Sequence, residues 1–578
     1  MRVAIIGAGP TGLLMFKKLI AKNIPDLSIS IFERKSILGA GMPYSSEGAC
    51  KEHITNVSGN EIPELVTSVR QWTLDCKDSL LQRFDLDSAN FNDYKVLPRL
   101  LFGAYLSDQF ALLLEQAKAL GLKVEVHLNT EIADIIDMEA ENSTCIVTSM
   151  GDSYSFERVI ICSGHYWPKK MELSHAGYFD SPYPPQKIAF RTNHSVAIRG
   201  SSLTAIDAIR TLARSNGRFE KEPNEKLVYK LDTQNPAFKM TIHSRNGLLP
   251  AVRFHLEDSM LAKDSVLSAS EVDQVRAANN GFVPLDYIYK RNFLDRLERS
   301  HPIFHALVKH LPLEKFVQMM MERRENTPAF ELLRNEFAEA RISIENQEPI
   351  YWKEMLAVLS FAMNYPAKYF SAEDMKRLKG SLMPLISVVI AFVPQSSVSE
   401  LLALHQAGVL DIQSVGNDSE ISTCKEGGIN YHFKDDNGQQ RSVHYPMFID
   451  CIGQPHLEID DLPYPSLVSS GTVAIAKLRF ADQKNAAIAY ANGSNDIIKE
   501  GQVYYLRVPG ISINDNFQVL DAKGTANKRI HMLGVPFIGG YNPDYSGLDF
   551  GDAASEKVMD SICAGLDEDE RFSQQISA

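Results

Sequence analysis

The sequence predicts an α/β protein in which two Rossmann-like units are joined by a mainly helical insertion. Two glycine-bearing turns, each between an apolar strand and an amphipathic helix, predict the two units. Helical periodicity from about residue 250 to 385, with no phosphate-binding loop, predicts the insertion. At 578 residues the chain is too long for one hydrophobic core, so several domains are expected.

The composition is that of a globular protein, with 44% hydrophobic and 23% charged residues. A formal net charge of −13 argues against nucleic acid or an anionic membrane as partner, because either would need a basic face. The longest apolar run, residues 382–394, is too short to cross a bilayer. Because the N-terminus leads directly into the first glycine turn, we expect no signal peptide and a cytoplasmic location.

The cysteines exclude several chemistries. The seven cysteines include no Cys-x-x-Cys pair and no spacing typical of metal ligands, so we expect reduced thiols and no metal. The sequence therefore lacks the pair of neighbouring thiols that a disulfide reductase uses. The sequence also lacks a Gly-x-Ser-x-Gly elbow, a His-Glu-x-x-His motif and a P-loop, which leaves hydrolase functions without support.

The first unit begins at the N-terminus. Residues 2–6 predict a buried parallel strand, residues 13–19 a helix and residues 28–32 a second strand. In the complete Gly-x-Gly-x-x-Gly turn, Gly7 permits the sharp bend, Gly9 lets a pyrophosphate approach the backbone, and Gly12 allows close helix–strand contact. Pro10 and Thr11 lie at the start of the helix, whose N-terminus faces the phosphates.

An acidic residue closes this unit. Glu33 follows the second strand about 20 residues after the glycines, where it can accept hydrogen bonds from a ribose hydroxyl. The unit lies at the N-terminus, and the basic Arg34 follows the acid. Both features favour the adenosine of FAD over that of NAD, so we predict FAD at this site.

The second turn, after a strand at residues 195–199, has diverged. Serine replaces the middle glycine and alanine the last in the series Gly200, Ser201, Ser202, Leu203, Thr204 and Ala205. The strand at residues 240–243 then leads to Ser244 and Arg245 rather than to an acid. Because a guanidinium pairs with a 2′-phosphate that a carboxylate would repel, this pattern favours NADPH over NADH. The alternative is that Arg245 is a solvated charge at a strand end.

Later segments indicate how the chain crosses between the units. Residues 158–164 and 448–453 each predict a strand that ends in a small residue and a glycine, which places Ser163, Gly164 and Gly453 at the crossings. A late strand at residues 529–534 and a helix near residue 549 indicate that the C-terminus completes the first unit. There Gly547 and Leu548 would face the flavin, at the positive end of the helix dipole.

These segments give a division into domains. The insertion is predicted to be followed by short strands at residues 388–392 and 409–415, and residues 216–237 to be a surface insertion. The predicted parts are the FAD-binding domain at 1–185 and 448–578, the NADP-binding domain at 186–255 and 387–447, and the helical insertion at 256–386.

Several blocks resemble a known family. They lie at residues 39–45, 55–63, 97–105, 163–168, 244–250 and 448–454. In order and spacing they resemble the bacterial family of FAD/NAD(P)-binding oxidoreductases, which are flavoproteins with two dinucleotide-binding domains and a glutathione-reductase-like fold. Related branches include flavin monooxygenases that N-oxygenate amino acids. The chain departs from the pattern at Thr-Asn-Val-Ser, residues 55–58, and after residue 453.

The resemblance implies positions for further residues. Gly41, Met42 and Asn56 would lie against the flavin, and Arg99 near FAD or its pyrophosphate. Asn56 is the candidate for the polar neighbour that oxygen chemistry at a flavin needs, although an asparagine that only holds its loop is an equal alternative. His165 can gate the site or transfer a proton, or it can simply cap a strand end.

The leading hypothesis is an NADPH-dependent FAD monooxygenase of the N-hydroxylating type, acting with oxygen on a small polar metabolite. Ketone oxygenation is not favoured, because the Phe-x-Gly-x-x-x-His fingerprint is absent. One alternative is an NAD(P)H-dependent flavin dehydrogenase or reductase without oxygen insertion. Another is a non-enzymatic flavin-binding redox sensor. The sequence leaves a homodimer possible.

Overall fold

The computed structural model describes residues 1–22, 24–76, 78–86, 91–256, 265–435, 437–544 and 547–577. The strands are β1 (Arg2–Ile6), β2 (Ser28–Phe32), β3 (Ile54–Ser58), β4 (Val96–Pro98), β5 (Lys123–His127), β6 (Ile132–Met138), β7 (Ser143–Thr148), β8 (Ser153–Phe156), β9 (Arg158–Ile161), β10 (Tyr178–Phe179), β11 (Ser195–Arg199), β12 (Gly217–Lys221), β13 (Leu227–Leu231), β14 (Lys239–Ser244), β15 (Leu410–Ser414), β16 (Glu420–Thr423), β17 (Ile429–Lys434), β18 (Gln440–Tyr445), β19 (Met447–Asp450), β20 (Ile475–Arg479), β21 (Ile497–Glu500), β22 (Val503–Ile511), β23 (Gln518–Leu520) and β24 (Ala526–Met532).

The α-helices are α1 (Pro10–Ala21), α2 (Val69–Asp75), α3 (Asp78–Gln82), α4 (Arg99–Ala119), α5 (Leu203–Asn216), α6 (Ala269–Ala278), α7 (Leu285–Tyr289), α8 (Asp295–Ser300), α9 (Pro302–Val308), α10 (Leu313–Glu325), α11 (Ala329–Asn346), α12 (Tyr351–Met363), α13 (Ala372–Arg377), α14 (Met383–Val389), α15 (Gln395–Gln406), α16 (Pro465–Ser469), α17 (Gln483–Ala491) and α18 (Leu548–Ser577).

The first sheet has the strand order β23-β24-β9-β1-β2-β5 and is parallel except for β23. The buried, β-branched run of β1 forms its centre, as expected for a strand covered on both faces. The late strand β24 pairs with β9, and α18 packs on α1. The C-terminal segment therefore completes the N-terminal unit, as the sequence indicates.

The second sheet has the order β10-β19-β11-β14-β15 and is wholly parallel. Its core strand β11 pairs with β14 so that Arg199 lies opposite His243. In the first sheet Ile6 lies opposite Phe32 in the same way. The predicted fold class, with two Rossmann-like units and a helical insertion, is confirmed. The predicted domain limits stay a prediction.

The insertion contains α6 to α14, and one strand prediction beside it is wrong. Residues 388–392 do not form a strand, because α14 runs to Val389 and a turn follows. Pro384 lies in the first turn of α14, and Leu385, Ile386 and Val389 are buried at helical spacing. The apolar run fits either a helix or a strand, and its packing selects the helix. The other predicted strand is β15.

The predicted surface insertion at residues 216–237 is a β-hairpin, β12–β13. Most of the hairpin is exposed, but Tyr229 is buried and donates a hydrogen bond to the Ala213 carbonyl at 2.8 Å, which anchors the hairpin to α5. Among the described residues, none of the helices combines the length and apolar character that a bilayer crossing requires.

Candidate functional site

The first glycine turn has no room for side chains. Gly7 has φ +94°, and a Cβ there would lie 2.9 Å from the Cys162 carbonyl oxygen. A Cβ on Gly12 would lie 2.2 Å from the Gly7 carbonyl oxygen, so α1 can begin this close to β1 only with glycine at that position. Thr11 lies half-buried in the first turn of α1.

A second loop closes over this turn. The Gly39 amide donates a hydrogen bond to the Ala8 carbonyl at 2.7 Å. A Cβ on Gly9 would lie 3.2 Å from the Gly41 Cα, and one on Gly41 would lie 2.9 Å from Pro10 Cδ. Gly41 therefore lies against the turn, and Met42 follows it in the chain; their contact with the flavin stays a prediction. These glycines form a cradle that side chains would fill, and this fits a dinucleotide phosphate.

The acid of the first unit is fixed in place. Glu33 is buried, and its carboxylate accepts hydrogen bonds from the amides of Ala8 at 2.8 Å and Lys35 at 3.0 Å. Each carboxylate oxygen can accept a further bond, so a ribose hydroxyl can be bound as well. The side chain of Arg34 is exposed.

The start of α18 lies beside the start of α1. A Cβ on Gly551 would lie 3.7 Å from Thr11 Oγ1. Lys18 forms an ion pair with Asp552 at 3.0 Å. Gly547 has φ +95°, which favours glycine, and Leu548 is buried. Gly547 therefore precedes α18 and Leu548 begins it, and the N-terminal turn of this helix packs beside the first glycine turn.

Asn56 lies on β3 with its backbone held from outside the first unit. Arg253, which follows β14, donates hydrogen bonds to the Asn56 carbonyl and to Ser58 Oγ, the latter at 2.8 Å, and it also pairs with Glu61. The Asn56 side chain is exposed and forms no hydrogen bond with any described residue. Its amide is therefore available to a ligand.

The two crossings are tied together. Gln454 Oε1 lies 3.1 Å from the ring Nδ1 of His165 and accepts a bond from the Tyr166 amide at 2.9 Å. Trp167 Nε1 donates to the Gly453 carbonyl at 3.1 Å. Burial lowers the pKa of His165, so its ring is neutral near pH 7.

Ser163 and Gly164 precede His165 at the first crossing. The Ser163 hydroxyl is buried and has no hydrogen-bond partner among the described residues, whereas Gly164 is exposed. An orphaned hydroxyl at the strand end beside the first glycine turn fits a polar group of a bound cofactor.

Arg99 has a partner that the sequence did not suggest. At the start of α4 it donates to Ile54 O at 3.1 Å and pairs with Asp207 of α5 at 2.6 Å. Tyr183 Oη also donates to Asp207, at 2.7 Å. Burial by itself would raise the pKa of Asp207, but Arg99 together with His53, the Tyr183 hydrogen bond and Arg210 outweighs burial and holds the pKa below its usual range. Arg99 therefore joins the two units, and its role at FAD stays a prediction.

The second glycine turn repeats the geometry of the first. Gly200 has φ +99°, and a Cβ there would lie 2.7 Å from the Cys451 carbonyl oxygen, which corresponds to that of Cys162. Ser202 is the exposed N-cap of α5 but makes no capping hydrogen bond through its side chain. Its hydroxyl, with that of the half-buried Ser201 beside it, is available for a phosphate. Ala205 is buried where the first unit has Gly12.

Leu203 and Thr204 form the first turn of α5.

The strand ends differ more strongly between the units. Because the Gly7 amide bonds to Phe32 O and the Gly200 amide to His243 O, Ser244 occupies the position of Glu33 and Arg245 that of Arg34. The Ser244 hydroxyl is buried without a partner among the described residues.

Arg245 is exposed and forms no ion pair with a described carboxylate. It lines a cavity of about 1710 Å³ together with the second glycine turn, the end of β15 and part of the insertion. The cavity fits a dinucleotide at the carboxyl ends of parallel strands. Of the second-site residues predicted from the sequence, five line this cavity, namely Gly200, Ser201, Ser202, Ser244 and Arg245, whereas Leu203 and Thr204 are not among its lining residues.

Comparisons with known proteins agree with this geometry. Residues 4–166 match the FAD-NAD(P)-binding family, and residues 268–390 match the YdhS-like middle domain. The chain is 28% identical over 474 residues to a protein of Escherichia coli K12 named uncharacterized protein YdhS, covering 81% of this chain and 85% of that one.

Solved structures with similarity include a reductase and a hydroxylase. One is the bacillithiol disulfide reductase Bdr (YpdA) from Staphylococcus aureus, with 13% identity, 98% of each chain covered and a TM-score of 0.43. Another is the reduced form of ornithine hydroxylase (PvdA) from Pseudomonas aeruginosa, with 10% identity, 98% of this chain and 99% of that chain covered, and a TM-score of 0.47.

The two glycine turns and the match over residues 4–166 define a protein that binds FAD and a nicotinamide dinucleotide. Residues 4–166 therefore form an FAD/NAD(P)-binding domain, to which the C-terminal strand β24 and helix α18 are added. Both cofactor classes predicted from the sequence are thereby confirmed, while the preference for NADPH and the individual site residues stay predictions.

Proposed function

We propose that the protein is an NADPH-dependent flavin monooxygenase that N-hydroxylates a small, polar, amine-bearing metabolite. The observation that carries the proposal is the exposed guanidinium of Arg245 in the cavity at the end of β14. In the first unit a buried carboxylate closes the equivalent strand, but here Ser244 stands in its place. The end of β14 therefore offers a 2′-phosphate a cation, with no acid at the position that Glu33 occupies in the first unit.

The cysteines favour a small-molecule electron acceptor. A disulfide reductase of this type needs two neighbouring thiols at the flavin, but the seven cysteines of the sequence include no Cys-x-x-Cys pair. Cys162, behind the first glycine turn, is buried, and burial raises the pKa of its thiol. A buried thiol of this kind is unreactive, which supports oxygen or another small molecule as acceptor.

A bound FAD would supply the chemistry of hydride acceptance from NADPH and of electron transfer to the acceptor. The turn from Gly7 to Gly12 and the Glu33 carboxylate would hold it. Asn56 would offer its free amide as a hydrogen-bond donor near the reacting atoms, and His165, neutral and held by Gln454, would fix the crossing. The amine-bearing substrate is supported by the resemblance to the FAD/NAD(P)-binding oxidoreductase family, whose related branches include monooxygenases that N-oxygenate amino acids.

The test is isotopic. Purified holoprotein, NADPH and oxygen-18 gas are mixed with a panel of primary amines that includes amino acids, and the products are analysed by mass spectrometry. The expected result is one oxygen-18 atom in a hydroxylated amine, with NADPH consumed in equal amount. Replacing Asn56 by Asp, which removes the donor, should divert NADPH oxidation from product toward hydrogen peroxide.

Other outcomes have distinct meanings. NADPH oxidation that proceeds without oxygen when an artificial acceptor is supplied, and that never labels an amine, would identify a reductase instead. A flavin that neither NADPH nor NADH reduces would contradict both enzymatic proposals and favour a flavin-binding sensor.

A further inference from the structure

The cavity at the second glycine turn has two walls. One consists of the strand ends and loops of the second unit, and the other of insertion residues between 321 and 334 and between 379 and 388. None of the described residues within the FAD-NAD(P)-binding match, residues 4–166, lines the cavity. The nicotinamide nucleotide, rather than the flavin, would therefore occupy it, with the insertion forming one wall.

The insertion wall is fixed to the loop that leaves β14. The Ala251 amide donates to the Val388 carbonyl at 2.8 Å. The Val393 amide donates to the Ala251 carbonyl at 2.8 Å, and the Arg253 amide to the Val393 carbonyl at 2.9 Å. These bonds hold the segment after Leu378 at the carboxyl edge of the second sheet, where the second glycine turn also lies.

Lys379 lies in this segment and differs from its neighbours. Lys376 pairs with Asp496 at 3.1 Å and Arg377 with Glu314 at 2.7 Å. Lys379 faces the cavity and forms no ion pair with a described carboxylate. The side chain of Lys379 is exposed where it lines the cavity, so its ammonium group is accessible to an anionic ligand bound there.

The cavity is not uniformly basic. Arg245 and Arg334 line it without ion pairs to described residues, but the carboxylates of Glu325 and Glu331 line it too. The electrostatic potential in the cavity is therefore mixed in sign. Which group of a ligand each cation binds depends on where that cation lies along the cavity. Arg245 follows β14 at the adenosine end, whereas the Lys379 segment is tied to the loop beyond it.

We propose that Lys379 binds the diphosphate of the nicotinamide dinucleotide, across the cavity from the N-terminus of α5. The inference rests on the proposed function, in which the second unit binds NADPH. The diphosphate carries two negative charges. On one side it would meet the backbone amides at the start of α5 and the Ser202 hydroxyl. An ammonium neutralises the other side as a point charge. The insertion is then part of the nucleotide site.

The test compares variants of the holoprotein in titrations with NADP⁺, NAD⁺ and 2′-AMP, which carries the 2′-phosphate but no diphosphate. Lys379→Met should weaken both dinucleotides about tenfold, since a charge-assisted bond is lost, and leave 2′-AMP within about twofold. Lys379→Arg should restore most of the affinity because it keeps the charge. Lys376→Met, on the same helical segment but outside the cavity, should change none of them. FAD content and circular dichroism establish that each variant is folded.

Equal affinities of Lys379→Met and Lys376→Met for both dinucleotides would overturn this inference and leave the proposed function standing. A loss of 2′-AMP binding as large as that of the dinucleotides would show that Lys379 does not read the diphosphate. Failure of the unaltered protein to bind either dinucleotide would overturn the NADPH proposal and this inference together.

Discussion

The two nucleotide units share one backbone plan and differ at matched side chains. Gly7 and Gly200 each have positive φ and approach the carbonyl of a buried cysteine on the next strand. In the first unit, however, glycine lies at position 12 and a second loop closes over the turn. In the second unit alanine fits at position 205, and the turn opens into a cavity of about 1710 Å³.

This difference matches different tasks. A turn enclosed by Gly41 and α18 suits a cofactor that stays bound through turnover. An open cavity with hydroxyls and a free guanidinium suits a nucleotide that enters and leaves in each cycle. Exchanging residues between matched positions tests that interpretation directly.

The largest effect is expected at Gly12. Gly12→Ala introduces the alanine of the second unit, but its Cβ would meet the Gly7 carbonyl oxygen, so α1 must move away from the phosphate site. The expected result is less than about a tenth of the normal FAD content, because a misplaced phosphate site loses several kcal/mol of binding. The flavin absorbance of purified protein measures it.

The matched control is Ala205→Gly, which should keep its FAD and lose only about 0.5–1 kcal/mol of stability, the usual cost of glycine in a helix. Normal FAD content in Gly12→Ala would contradict the tight packing of the first turn.

A smaller effect is expected at His243, which occupies the position of Phe32. Burial lowers the pKa of His243 to about 4, below the ordinary value near 6.5 for an unfolded chain. Between these values the unfolded state binds the proton first, so stability falls as pH falls through this window. From pH 7.5 to 4.5 the loss from this group is about 2–3 kcal/mol, at about 1.4 kcal/mol for each pH unit.

His243→Phe installs the residue of the first unit. Between pH 7.5 and 4.5 its free energy of unfolding, measured in urea, should fall by about 2–3 kcal/mol less than that of the unaltered protein. The buried His531 in the first sheet stays in both proteins, so its effect cancels in the difference. The same pH dependence in both proteins would show that His243 does not titrate as its burial requires.

Local patterns could be predicted from the sequence. The glycine turns and Glu33 depend on residues near one another in the chain, and the strand before each turn is a short apolar run. The return of β24 was predictable because it repeats the strand–glycine pattern of the crossings. The run at residues 388–392 was not, since an apolar segment of that length fits a helix or a strand until packing is known.

Contacts between distant segments escaped prediction. Asp207 lies on the buried face of α5 and pairs with Arg99, more than a hundred residues earlier. The one local signal was an acid within an apolar helical pattern, which requires a partner but does not say which. The proposed role of Lys379 likewise could not be predicted from the sequence, because nothing near this residue in the chain indicates a phosphate site.

The central claim is that the second unit selects NADPH through Arg245, and anaerobic reduction of the bound flavin tests it most directly. Reduction by NADPH and by NADH is measured for the unaltered protein, for Arg245→Ala and for Arg34→Ala, the matched position in the first unit. We expect Arg245→Ala to raise the apparent Kd for NADPH about tenfold to a hundredfold. The apparent Kd for NADH should rise by less than about twofold, since only the pairing with the 2′-phosphate is lost. Arg34→Ala should leave the preference intact. An equal loss of affinity for NADPH and NADH in Arg245→Ala would contradict selection of NADPH through Arg245.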